Sequence, residues 1–325
     1  MGSEMCIRDS PSIDLIINLT VPAAHFEVST SALRAGKHVY SEKPFVLSVA
    51  EGQSLLELAQ QQGLRVGSAP DTFLGGSHQA ARQFIDAGMA GDIIGGSCSF
   101  QSHGMEDWHP EPTFFFQPGG GPVLDMGAYY VSNLVQSLGP VKRVVAMAGR
   151  PFLTRTVTSE PNPGAVIDVN VDTSARAILE FQQGAQVSLN MSWDVWAHEQ
   201  NHMELYGTKS TVFTPDPNRF GGSVRINDGE EERQLDPLQV LSTPNFEDNS
   251  GNAIANYRGV GLADMAAAIH EQRTHRCNGE LALHVVDVLT CIMRSAELGE
   301  FVVPVTQCER PAALDNDAAG KLMRS

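Results

Sequence analysis

Between residues 13 and 70 short apolar runs alternate with longer amphipathic ones, and this alternation constrains the fold more than any other feature of the chain. "IDLIINL" (13–19) is a continuous apolar run of the kind a buried parallel strand needs. "PAAHFEVSTSALRAG" follows, with Phe26, Val28 and Leu33 as its apolar positions and Gly36 as a helix stop. "HVYSEKP" predicts a second strand. "SVAEGQSLLELAQQQG" predicts a helix with Ser48 at its N-cap, Glu51 completing a capping box, and Gly63 at its end. "LRVGSAP" predicts a third strand. Strand–helix–strand–helix–strand at this spacing specifies a parallel sheet with helical crossovers.

"SHQAARQFIDAGMAG" adds one more helix, and then the pattern changes. "IIGGSCSFQSH", "KRVVAMAGR", "TSARAILEF", "AQVSLNMSWDV", "HMELYGT" and "STVFTP" are strand-like. Ala177, Leu179 and Phe181 alternate, as do Val187, Leu189 and Met191, so a hairpin is expected to turn at Gln183-Gly184. One helix interrupts the strands, "GPVLDMGAYYVSNLVQSLG", with Pro122 in its first turn and Gly139 at its end. Two more helices follow near the C-terminus. The expected fold class is α/β: an incomplete Rossmann-type parallel sheet, then an α+β domain with a large open, mainly antiparallel, meander-like sheet. Residues 12–92 form the first part and 93–325 the second, whose C-terminal helices are expected to pack back on the first.

A length of 325 residues suits two such domains. The 38 acidic residues outnumber the 22 basic ones, for a formal charge of −16, and no basic stripe of the kind nucleic acid demands is present. No apolar run reaches the roughly 20 residues of a membrane span. Five scattered cysteines contain no C-x-x-C pair, which argues against a disulfide framework and a zinc site and for a reducing, cytoplasmic setting. "MGSEMCIRDS" has no periodicity, and residues 1–11 are expected to be non-native.

A dinucleotide-binding half-sheet opens with a strand, a G-x-G-x-x-G turn and a helix. No G-x-G-x-x-G occurs in the chain; the nearest approach, "GVGLAD" at Gly259 and Gly261, ends in Asp264. The parallel pattern therefore starts at what would be a third or fourth strand. The expectation is an N-terminal truncation of about 60 residues, two βαβ steps, that impairs the activity of the chain as given.

Three segments together are similar to one family. "NLTVPAAH" (18–25), "AGKHVYSEKP" (35–44) and "GGGPVLDMGAYYV" (119–131) resemble the Gfo/Idh/MocA oxidoreductases, relatives of glucose–fructose oxidoreductase and inositol dehydrogenase, over residues 12 to about 314. The resemblance implies NAD or NADP as cofactor, a sugar, polyol or related substrate, a homo-oligomer formed through the open sheet, and a cis Lys43–Pro44 bond. It also implies that Asn18, Leu19, Thr20, Pro22, His25, Glu42 and Lys43 line the cofactor site.

Hydride transfer needs a cation to stabilise developing alkoxide and a group to carry the hydroxyl proton. By the resemblance, Lys43 supplies the cation. Asp125 and Tyr129, four residues apart and so on one helix face, supply an anchor and a proton carrier. A lysine neighbour is expected to lower the tyrosine's pKa. His103, Trp108, His109, Trp196 and His198 lie at strand ends, and with Asp125 they are the candidate substrate contacts. No metal is expected, since His198 and His202 are not expected on a helix as the H-E-x-x-H motif requires. Two further readings stand beside the dehydrogenase: a redox-neutral relative that retains NAD and acts on a glycoside through a keto intermediate, and a non-enzymatic oligomeric or regulatory protein.

Overall fold

The computed structural model describes residues 10–248 and 250–324; most of the segment expected to be non-native, 1–11, lies outside the described residues. Strands β1 (Leu15–Asn18), β2 (His38–Ser41) and β3 (Val66–Ser68) form a parallel sheet in the order β1-β2-β3. Helices α1 (His25–Arg34) and α2 (Val49–Gln62) are the crossovers. The Ser48 side chain accepts from Glu51 N–H while the Glu51 side chain accepts from Ser48 N–H, the capping box read from sequence. Because β1 and β2 run in register, Asn18 opposite Ser41, the loops that follow them leave from the same sheet edge.

After α3 (Gly76–Asp86), the chain enters an eight-stranded sheet. It comprises β4 (Ile93–Gln101), β5 (Val141–Gly149), β8 (Ser174–Phe181), β9 (Gln186–Ser192), β10 (Met203–Gly207), β11 (Thr211–Thr214), β12 (Val224–Asn227) and β13 (Glu232–Leu235). The order is β13-β12-β11-β10-β4-β9-β8-β5. Gly184, at φ 101°, makes the β8–β9 hairpin turn that no side chain with a Cβ would favour. The meander expectation needs one correction: β4 pairs with β9 in parallel. The chain leaves β4 through a lobe, a helix and β5 before the hairpin returns, so β9 and β10 close on the two edges of β4. The lobe holds the short pair β6 (Thr154–Thr156) and β7 (Val166–Asp168) and has its own core of Met105, Phe116, Val157, Ile167, Val169 and Trp193. A last pair, β14 (Phe246–Glu247) and β15 (Ala253–Ile254), precedes the C-terminal helices.

Helix α4 (Pro122–Leu138) is buried along nearly its whole length in the main core, with Tyr130, Leu134, Leu179, Leu189 and Leu205. Helices α5 (Val260–Glu271), α6 (Gly279–Leu298) and α7 (Asn316–Leu322) complete the chain. Helix α6 belongs to both cores: Leu283 and Val286 pack with Val39, Phe45 and Leu55, whereas Val285, Val288 and Leu289 pack in the main core. Each such buried side chain contributes roughly 1.5–3 kcal/mol, so α6 fixes the parallel sheet against α4. No helix among the described residues is long and apolar enough to cross a membrane.

The entry to α6 is held by an ion pair. Asp264 of α5, fully buried, accepts from the Arg276 backbone N–H at 2.7 Å and from its guanidinium. Asp264→Ala leaves that buried guanidinium with backbone carbonyls but no carboxylate, and is expected to lower unfolding stability by about 3–5 kcal/mol, read from urea denaturation. A loss below about 1 kcal/mol, the level of an exposed pair, would show that the pair does not hold the junction.

Candidate active site

The loops after β1 and β2 are laced together by buried polar groups. Asn18 Nδ2 donates to His25 O and Ser29 Oγ, both at 3.0 Å, and its Oδ1 accepts from Thr20 Oγ1 at 2.7 Å. His25 Nδ1 lies 2.7 Å from Pro44 O, and Nε2 lies 2.9 Å from Thr20 O. Glu42 N–H donates to Asn18 O. Buried polar groups are held to such partners by the cost of leaving them unmade. His25 is 0% exposed, so it clips the two loops from beneath, while Leu19, 72% exposed, stands at the tip beside Thr20. Pro22 is half-buried at the start of a short 3-10 turn.

Lys43 follows this lacing, joined to Pro44 by a cis peptide bond. Its Nζ donates to Asp125 Oδ1 at 2.6 Å and to Asp125 O at 3.0 Å. Asp125 is in the first turn of α4, where the helix dipole favours a carboxylate. One turn on, the Tyr129 ring centroid is 5.4 Å from Nζ. The three residues singled out in the sequence as catalytic thus meet, with Glu42 half-buried beside Lys43.

Electrostatics gives Lys43 and Tyr129 a state. Burial works against the Lys43 ammonium, but Asp125, Tyr129 and Glu42 outweigh it and the pKa is raised. Tyr129 departs from expectation. Burial raises its pKa, Lys43 and Arg258 pull it down, and the net shift is upward. The lysine pull is real, but for a ring only 6% exposed the loss of hydration is larger. At neutral pH the pair is therefore ammonium and phenol.

Arg258 has no counterpart in the sequence reading. Its Cζ lies 5.6 Å from the Tyr129 ring centroid. It follows Tyr257 directly ahead of α5 in an irregular stretch, and only the fold brings it to α4.

The remaining candidates form a second group. His103 stacks on Trp196, with ring centroids 3.3 Å apart and planes 18° from parallel. Trp108 lies edge-on to His109, which also meets Phe114 and Phe115. His198 Nδ1 accepts from Gln200 N–H. These contacts are made within the lobe and the ends of β4 and β9, and not with Lys43, Asp125 or Tyr129. The residues His198, Glu199 and His202 have H-E-x-x-H spacing but run irregularly into β10, so the imidazoles share no helix face. Instead, His202 Nδ1 lies 3.0 Å from the Tyr130 hydroxyl, which donates to Asp216. Among the described residues no group of three or more His, Cys, Asp or Glu is arranged to hold a metal.

Two family models match the chain: one described as the Gfo/Idh/MocA C-terminal domain, over residues 78–213, and one as an oxidoreductase family with an NAD-binding Rossmann fold, over residues 4–69. The dTDP-3,4-didehydro-2,6-dideoxy-α-D-glucose 3-reductase of Streptomyces violaceoruber is 33% identical over 258 residues, 77% of this chain and 71% of that protein. An uncharacterized oxidoreductase of Schizosaccharomyces pombe is 29% identical over 142 residues, 42% of this chain. The chain spans only 36% of that yeast protein's length. A structure of levoglucosan dehydrogenase in complex with NADH and L-sorbose superposes with a TM-score of 0.74 at 19% identity, covering 93% of this chain and 82% of that one. At that identity the likeness is one of fold.

The raised pKa of Tyr129 has a direct readout. A phenol keeps its proton until pH passes its pKa, so the component of an ultraviolet phenol titration that disappears in Tyr129→Phe should ionise above pH 10.0. A lost component that ionises near neutral pH would mean that the cations, not burial, dominate the ring.

Proposed function

Because the chain belongs to the Gfo/Idh/MocA family of oxidoreductases, we propose that it interconverts a hydroxyl and a carbonyl on a sugar, polyol or related molecule by hydride transfer with NAD or NADP. The observation that carries this reading is the Lys43 ammonium seated on Asp125 beside Tyr129, at the edge where β1 and β2 deliver their loops. Ligands of open parallel sheets bind outside the carboxyl ends of the strands. The exposed tip at Leu19 and Thr20, with Pro22, fits the adenosine and pyrophosphate half of a dinucleotide, and Lys43, with Glu42, stands at its nicotinamide end. Asn18 and His25 hold that tip in shape. When bound, the nicotinamide supplies or accepts the hydride.

The chain's own groups do the rest. Lys43 donates a hydrogen bond to the reacting oxygen and stabilises the charge it gains. Asp125 keeps the ammonium charged and aimed. The Tyr129 phenol, protonated at neutral pH, is poised to give its proton to the carbonyl oxygen during reduction, and the phenolate takes it back during oxidation. His103 on Trp196, with Trp108, His109 and His198, offers aromatic faces and ring nitrogens suited to a polyhydroxylated substrate. A fold neighbour that holds NADH and L-sorbose supports both the cofactor and the substrate class.

The reading also includes self-association through the open face of the large sheet. That face exposes Met147 (80%) and Ile178 (48%) on β5 and β8. Sedimentation should return a multimer that Met147→Glu shifts toward the monomer; a wild-type monomer removes this part.

For the chemistry, a panel of sugars and polyols read for NADH or NADPH absorbance identifies the reaction. In a form of the protein that carries the G-x-G-x-x-G turn, Lys43→Ala is then expected to lower kcat by about 10²–10³-fold, the effect of removing one charge-stabilising donor, with little change in the dissociation constant for NADH. Undiminished turnover would take Lys43 out of the mechanism.

A further inference from the structure

Arg258 is exposed and is held by one aromatic ring and one amide, neither of them an acid. Its Cζ lies over the Tyr129 ring at 5.6 Å. Its Nη2 donates to Asn218 Oδ1 at 2.8 Å and lies 3.4 Å from Asn218 O. The backbone just after it is pinned by a buried carboxylate: Asp71 Oδ2 accepts from Gly259 N–H at 2.8 Å and from Gly261 N–H at 3.0 Å. Asn218 is fixed in turn, because its N–H donates to Asp216 Oδ1 at 3.0 Å, the same oxygen that accepts from the Tyr130 hydroxyl at 3.1 Å. The guanidinium is thereby tied to both tyrosines of α4.

Asp71 is close enough to feel the Arg258 charge, but its Oδ2 is spent on the backbone of Gly259 and Gly261 and it forms no ion pair with the guanidinium. Among the described residues, the ion pairs of the chain do not include Arg258. Lys43, by contrast, is matched by Asp125 at 2.6 Å. A guanidinium carries five N–H donors in a rigid plane. Asn218 engages only Nη2, so the other nitrogens remain to donate. A planar donor set already oriented by an aromatic ring and an amide loses little freedom on binding, and it matches a carboxylate with two parallel hydrogen bonds.

We propose that Arg258 is a specificity-determining residue that receives a carboxylate of the substrate, so that the preferred substrates are sugar acids rather than neutral sugars. The inference rests on the reading of Lys43, Asp125 and Tyr129 as the reacting centre. The Tyr129 ring centroid is 5.6 Å from the guanidinium carbon and 5.4 Å from Lys43 Nζ, so a substrate whose carboxylate sits on Arg258 has its hydroxyl-bearing carbons within reach of the ammonium.

The test compares D-glucuronate with D-glucose, a matched pair differing in the acid group. In the wild type, kcat/KM is expected to favour the acid by at least about tenfold, and Arg258→Gln is expected to lower kcat/KM for the acid at least about tenfold more than for the neutral sugar, mainly through KM. Arg258→Lys should restore part of the preference, since it keeps the charge and loses the fork. Calorimetric titration of the chain with glucuronate should show the same order without any turnover. Equal losses on both sugars, or a wild type without preference, would overturn the proposal. Failure of the underlying reading looks different: Lys43→Ala would then turn over both sugars as fast as the wild type.

Discussion

The contact between Lys43 and Asp125 is the interaction around which the site is arranged. It joins a loop of the parallel sheet to the first turn of a helix 82 residues later in the chain. An ammonium withdrawn from water is costly unless a carboxylate and further acceptors replace its hydration. Asp125 offers both, through its side chain and its carbonyl. The geometry tolerates little slack, so α4 must be docked firmly against the edge of the parallel sheet. Helix α6 does this by lending Leu283 and Val286 to one core and Val285 and Leu289 to the other. An apolar helix shared between two cores thus sets a polar distance at the surface.

The residues of a ligand-binding loop divide into those that can touch a ligand and those that hold the loop still. Asn18 and His25 belong to the second kind. Each is buried; Asn18 has both its amide nitrogen and its amide oxygen hydrogen-bonded, and His25 faces a carbonyl of each loop, Thr20 O and Pro44 O, to one of which its N–H donates. Leu19 and Thr20 stand exposed above them. A motif reading cannot separate the two kinds, because a loop that must be rigid under a ligand requires both in fixed sequence positions. Burial separates them at once.

How much was legible in the sequence follows the range of the interaction involved. The capping box of Ser48 and Glu51, the turn at Gly184, and Pro122 in the first turn of α4 are local, and each is found where the spacing put it. The parallel pairing of β4 with β9 was not legible, because periodicity identifies a strand and a face but not a neighbour. The short strands β6 and β7 were also missed, since each has only three residues. Lys43, Asp125 and Tyr129 were legible as a pattern of residue types. The state of Tyr129 was not, because a neighbouring cation can be read from a motif whereas the degree of burial cannot. Arg258 reaches the ring only through the docking of α5, pinned by Asp71 from a distant segment.

The aromatic lobe follows a different logic from the cluster of Lys43, Asp125 and Tyr129. It packs around its own core, and its buried Arg155 is bonded to Glu106 and Asp194 rather than to anything on α4. The lobe is joined to the main core through Phe100, which packs against both and lies edge-on to Tyr130. A platform supported this way can change its exposed rings, Trp108 and Trp196 among them, without moving Lys43 relative to Asp125. The Lys43–Asp125 contact is held by α4 and the strand-end loops, and the outer aromatic residues are carried on a separately packed support. Under the proposed function, that separation assigns the reaction type to Lys43, Asp125 and Tyr129 and substrate choice to the rim and to Arg258.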